Sequence, residues 1–112
     1  MKLPNGANAI IPETKITHYL LDLEHPIGRG KAIFFLRCGF HNLRWWELVD
    51  ALKSHALTAE VTKNEKIEFG QRYILEGVMD TPTGRTPLIR SVWIILNGTS
   101  NPQFVSAYPI GR

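Results

Sequence analysis

A chain of 112 residues with 44% hydrophobic content and a mean hydropathy of -0.11 holds enough apolar material for one core but not two, and no stretch reaches membrane-spanning length. Thirteen Lys and Arg against ten Asp and Glu give a net charge of +3 and a pI near 9.2, which excludes a dedicated nucleic-acid packager but permits a polyanionic partner. One cysteine, Cys38, excludes an internal disulfide, and MKLPNGANAIIP lacks the apolar core of a signal peptide, so a single-domain cytoplasmic protein (1–112) is expected.

In chain order, Pro4-Asn5-Gly6 opens with turn chemistry, and Ala9-Ile10-Ile11 is a short strand or a plug for the core. A first helix is expected over 13–23, where Ile16, Tyr19, Leu20 and Leu23 recur at spacings of three and four, and Pro26 stops it. A second starts within 29–31 and runs to Cys38, with Gly39 as the left-handed stop and Ala32, Phe35 and Leu36 as its buried side. Asn42 is expected to cap a third over 43–56, with Trp45, Leu48, Val49 and Leu52 inward and Trp46 off the stripe. Cys38, among apolar neighbours, reads as a buried structural thiol, and His18 and His55 as surface positions on polar helix faces.

Past Leu57 the period changes to two. Strands are expected over 58–62, 71–79, 86–96 and 103–108, separated by the turns Asn64-Glu65-Lys66, Thr81-Pro82-Thr83-Gly84 and 97–102. Short loops favour neighbouring antiparallel strands. The expected fold is therefore α+β, three N-terminal helices packed on one face of a four-stranded antiparallel β-meander.

Folding the second and third strands about 81–84 pairs Arg72 with Trp93 and Ile74 with Ser91, and folding the third and fourth about 97–102 brings Trp93 near Ser106 and Ser91 near Tyr108. An open face of Arg72, Ser91, Trp93, Ser106 and Tyr108 results. Tyr73, Leu75, Arg90, Val92, Ile94, Leu96, Val105 and Ala107 then face the helices, with Arg90 at the edge of that core. A one-residue slip would exchange these faces. An indole, two hydroxyls, a phenol and a guanidinium on one surface can stack a base, hold a phosphate and donate protons; polar outer faces are also ordinary in antiparallel sheets.

The loop His25-Pro26-Ile27-Gly28-Arg29-Gly30-Lys31 enters a helix with two glycines and two cations, a combination suited to an anion or to a plain inter-helix turn. It is not a nucleotide P-loop, because Ala32 follows Lys31. No clustered His, Cys, Asp or Glu spacing suggests a metal, and no cofactor is expected.

HPIGRGKA followed by Phe, then FGQRY, TPTGR, RSVWII and a closing SAYP resemble, in that order, a small bacterial domain family of uncharacterised function. That family occurs as stand-alone proteins and, in related form, at the C-termini of polymorphic secreted toxins. Its layout is also similar to the barnase/RelE-like ribonuclease toxins, a likeness of architecture.

Two functions fit. The first is a metal-independent endoribonuclease of toxin type, acting on RNA and held by a cognate small antitoxin. In it His25 is general base or acid, Ser106 and Tyr108 are proton-donating partners, and Lys31 with Arg72 or Arg90 stabilises the phosphate. Arg29 adds charge, while Ser91 and Trp93 contact a base. The second is a non-catalytic module binding a protein or a polyanion through Trp93 and Tyr108. Geometry separates them: catalysis requires His25 or Lys31 within about 6 Å of Ser106 or Tyr108.

Overall fold

A computed structural model describes residues 1–111. A 3-10 turn at Gly6–Asn8 precedes one α turn, Glu13–Lys15 (α1), which continues as a π turn over Ile16–Leu20 closed by Leu21 N–H to the Ile16 carbonyl at 2.9 Å. Helix α2 spans Arg29–Arg37; a 3-10 turn at Asn42–Arg44 leads into α3, Trp45–Thr58. Strands β1 (Glu60–Ile67), β2 (Gly70–Val78), β3 (Leu88–Leu96) and β4 (Gln103–Pro109) pair antiparallel in sequence order. The α+β layout of helices followed by a four-stranded meander is the expected one. None of the described helices is long and apolar enough to cross a membrane.

The helices cover one face. Ile16 and Leu20 of the π turn, Phe35 of α2 and Leu48 and Leu52 of α3 bury against Leu75, Ile89, Trp93, Phe104 and Ala107 of the sheet. Gly39, at φ 96°, ends α2 in the left-handed conformation that a side chain disfavours. The third helix is entered differently from expectation: His41 Nδ1 accepts from Leu43 N–H at 3.2 Å, whereas Asn42 donates to the Thr17 carbonyl. The first hairpin also turns later, at Glu68 and Phe69, because 64–66 continue the β1 ladder to Gly70.

The register between β2 and β3 differs by one residue from expectation. Tyr73 opposes Trp93 and Leu75 opposes Ser91, and on the other side of β3 Ser91 opposes Ala107 and not Tyr108, with Trp93 opposite Phe104 and not Ser106. The ladder continues past the strand ends to Met79 N–H and the Pro87 carbonyl (3.0 Å), so 80–86 form a loop and not a four-residue hairpin turn. Ser91 and Trp93 therefore point into the core, both fully buried, and Arg90, Val92 and Ile94 lie on the open face.

Burying Ser91 and Trp93 requires polar partners, and His55 of α3 supplies the rest. Trp93 Nε1–H donates to Ser91 Oγ at 2.8 Å, and the Ser91 hydroxyl lies 2.9 Å from His55 Nδ1. His55 Nε2 sits 3.0 and 3.1 Å from the Gly77 and Ile89 carbonyls. Carbonyls only accept, so Nε2 carries the proton, Nδ1 accepts from Ser91, and every side-chain polar atom of this Trp93–Ser91–His55 network is satisfied. Burial pushes His55 below its ordinary pKa, with the two carbonyl bonds opposing. It is a neutral core residue and not the surface position expected. Cys38 is buried too, its thiol raised by burial and lowered less by Arg85, as fits a packing role.

Candidate functional site

The β4 edge is where the two halves of the chain meet. Lys15 donates to the Val105 carbonyl at 3.2 Å, and Tyr19, in the π turn, brings its hydroxyl to 2.8 Å from Ser106 Oγ. Single π turns recur at functional positions, because the extra residue re-aims the side chains that follow. The His25 loop wraps behind Tyr19. His25 and Tyr19 rings meet edge-to-face at 5.0 Å, and Gly28 packs so closely that a Cβ there would come within 2.7 Å of the Tyr19 ring. Lys31, on the first turn of α2, places Nζ 5.7 Å from the ring centroids of both Tyr19 and Tyr108. The cationic loop and the last strand thus converge, with Tyr19 between them.

Register carries this cluster onto the sheet. Glu76 of β2 opposes Arg90 of β3, and Arg90 opposes Tyr108 of β4, so the three form one row across the open face. Arg90 donates from Nε and a terminal nitrogen to Glu76 Oε2, at 2.9 and 2.6 Å. Both bonds reach the same oxygen, leaving Oε1 for another donor. The guanidinium carbon lies 5.8 Å from the Tyr108 ring centroid. Tyr108 first, and Glu76 second, hold Arg90 above its ordinary pKa; with the guanidinium over the ring, the Tyr108 contact is one of cation and π-face. Side chains of Arg90 and Glu76 are 35% and 28% exposed, so the row is open to a ligand.

The other expected residues separate from this row. His25 Nδ1 accepts the N–H groups of Ile27 and Gly28 at 3.1 and 2.8 Å. That fixes its neutral proton on Nε2 and makes it a clamp on the loop, because protonating Nδ1 would break both bonds. Arg29 turns back to the Leu23 carbonyl at 2.9 Å. Arg72 faces the same side as Arg90 but two pleats away, paired with Glu65 at 2.7 Å. Ser91 and Trp93, expected on the open face, are in the core and touch no solvent. Two members were missed by sequence reasoning. Tyr19 was counted in an apolar stripe, and the place of Glu76 follows only from the register.

No group of three or more His, Cys, Asp or Glu among the described residues could hold a metal ion. Positive charge at the site comes from Lys31, from Arg90 in its pair with Glu76, and from Lys15, whose Nζ lies 5.4 Å from the Tyr19 ring centroid.

No curated protein matches the chain. Among solved structures, it is similar to a chain of a contact-dependent growth inhibition toxin–immunity protein complex from Klebsiella pneumoniae 342. The TM-score is 0.74, with 16% identity, over 96% of this chain and 98% of that one. At that identity the likeness is one of fold. A family model described as a domain of unknown function matches residues 2–111, and the chain belongs to that family, DUF6883.

Proposed function

We propose that the chain is an endoribonuclease of toxin type that cleaves RNA by transfer to the neighbouring 2′-hydroxyl. The observation that carries this reading is the in-register row Glu76–Arg90–Tyr108 with the Lys31 ammonium over Tyr108. Such a cleavage needs a base, positive charge on the phosphate and an acid, and the row offers each in turn. Glu76 Oε1 takes the 2′-hydroxyl proton, the 2′-oxygen attacks phosphorus, and the bond to the 5′-oxygen breaks. Tyr108 protonates the leaving 5′-oxygen, giving a 2′,3′-cyclic phosphate and a free 5′-hydroxyl. Arg90 and Lys31 stabilise the phosphorane oxygens, which makes the reaction metal-independent. Ser106 and Tyr19 hold the margin of the site, and His25 holds the loop that carries Lys31.

A cytoplasmic ribonuclease with an exposed site would damage its host, and the fold is shared with a chain of a toxin–immunity complex. Both support a cognate small protein as the physiological partner. A second reading has its own observation. On the open face the half-buried Ile74 lies between the Arg72–Glu65 and Arg90–Glu76 pairs, and the half-buried Ile94 lies opposite Arg72, a surface suited to a non-catalytic protein-binding module.

The test is incubation of the parent, Glu76→Gln and Lys31→Ala with total RNA in EDTA, with end analysis of fragments. Cyclic-phosphate ends are expected from the parent, with Glu76→Gln slower by about 10²–10⁴. RNA left intact by folded parent at high concentration refutes the nuclease and favours the binding module.

A further inference from the structure

Beside the Glu76–Arg90–Tyr108 row lies an apolar groove of about 740 Å³ whose walls include Phe34, Pro87, Leu88, Pro109 and Ile110. Its position follows from the ladder. Val78 opposes Leu88, and Ile110 N–H donates to the Leu88 carbonyl at 3.0 Å. Leu88 and Ile110 therefore continue the faces of Arg90 and Tyr108 one pleat further, roughly 7 Å along the strands. A second, smaller concavity, lined by Ile27, Gly30, Lys31, Tyr108 and Pro109, meets the first at Pro109. One crevice between α2 and the end of β4 thus has Lys31 at one end and an apolar floor at the other. Leu88 is 40% exposed and Ile27 75%, so apolar surface is left facing water beside a charged row.

We infer that this groove is a subsite for one unpaired nucleobase, flanking the phosphate held by Lys31 and Arg90, and that the substrate is single-stranded RNA. The inference rests on the ribonuclease reading. Charge and spacing select this occupant. The groove runs through the second concavity to Lys31 and lies one pleat from Arg90, and one pleat matches the reach from a phosphate to the base of an adjoining nucleotide. The Phe34 ring and the two proline rings are apolar surfaces on which any base can lie, while among the described residues no charged side chain lines the groove to read a base edge. A base in a duplex is stacked and paired and could not enter without being flipped out. Preference for strand form, with little preference for base identity, is the consequence.

The probe is a fluorescein-labelled 2′-O-methyl RNA of ~10 nucleotides, which lacks the nucleophile and is not cut, used single-stranded and annealed to its complement. Anisotropy titrations compare the parent, Leu88→Gln and Phe34→Leu, each checked for a parent-like thermal melt. The parent is expected to bind the single strand at least fivefold more tightly than the duplex. Each groove variant should weaken single-strand binding by about 5- to 150-fold, the span of one stacked base, with duplex binding and the salt dependence unchanged. Equal affinity of the parent for both forms, or groove variants that bind the single strand like the parent, overturns the subsite. Cleavage of total RNA is scored separately. A nuclease with no strand preference loses the groove alone, and strand-selective binding without cleavage in any buffer loses the proposed reaction alone.

Discussion

The buried chain Trp93–Ser91–His55 gives a prediction whose size can be worked from its geometry. Ser91→Ala removes one hydroxyl that both accepts from Trp93 Nε1 (2.8 Å) and donates to His55 Nδ1 (2.9 Å). Trp93 and Ser91 are 0% exposed and His55 1%, so water cannot replace the lost partner. An orphaned buried donor or acceptor costs about 1–3 kcal/mol, and two are created. Removing the serine's own buried hydroxyl offsets part of this, so a net loss of about 2–4 kcal/mol is expected. With an unfolding entropy of about 0.24 kcal/mol/K for a domain of this length, the melting temperature should fall by roughly 8–17 °C. Circular dichroism melts and urea titrations followed by tryptophan fluorescence measure it, with exposed Ser100→Ala as a control expected to stay within about 0.5 kcal/mol. A loss below about 1 kcal/mol for Ser91→Ala would refute the satisfied-network account of why a serine stands in this core.

Further outcomes follow from neighbouring features. His55 is held below its ordinary pKa of 6.5, so the unfolded chain takes up its proton first as the solution is acidified. Its contribution to stability is complete above pH 6.5 and is lost as pH falls from there toward the folded-state value, with a slope of up to about 1.4 kcal/mol per unit; urea midpoints across pH 5–8 for the parent and His55→Gln should isolate that slope in the parent. Gly28→Ala drives a methyl into the Tyr19 ring and carbonyl, at 2.7 to 2.9 Å, and should cost about 1–3 kcal/mol, read from thermal melts, with lower RNA cleavage because Tyr19 must move off Ser106. His25→Ala should lower cleavage by loosening the loop, and His25→Asn, whose side-chain oxygen can accept the same turn N–H groups, should restore most of it. Failure of asparagine to rescue, with a pH profile that changes shape, would return His25 to proton transfer.

The architecture was readable because its signals were local. Stripes at spacings of three and four marked the helices, Gly39 ended one of them, and the change of period past Leu57 marked the sheet. The register of β3 was not readable, for a physical reason. LIRSVWIIL carries large apolar residues on both faces, so alternation does not say which side is inward, and the loop over 80–86 does not fix the pairing as a two-residue turn would. One-residue slips of β3 against both β2 and β4 put Ser91 and Trp93 outside and Arg90 inside, and they hid the row that joins Glu76 to Tyr108. Ser91 looked like a surface residue because its burial depends on His55, 36 positions earlier, on another element. Convergence of the His25–Lys31 loop on Tyr108 depends on Tyr19, whose aromatic ring serves equally well in a helix stripe.

The N-terminal segment does more than open the chain. Ile10 forms a parallel bridge to Gln103, donating to the Pro102 carbonyl and accepting from Phe104 N–H, and Lys15 occupies the Val105 carbonyl further along the same strand. The free edge of β4 is therefore sealed by residues some 90 positions away, and the proposed site draws on side chains from Tyr19 to Tyr108. No shorter stretch of the sequence contains a working fraction of it. On the ribosome the nascent chain would carry neither a cleft nor a charged row until β4 emerged, and contacts of such long span close late. On the proposed ribonuclease reading the chain would be harmless as a growing or unravelled polypeptide, and a cognate partner would need to recognise only the finished sheet.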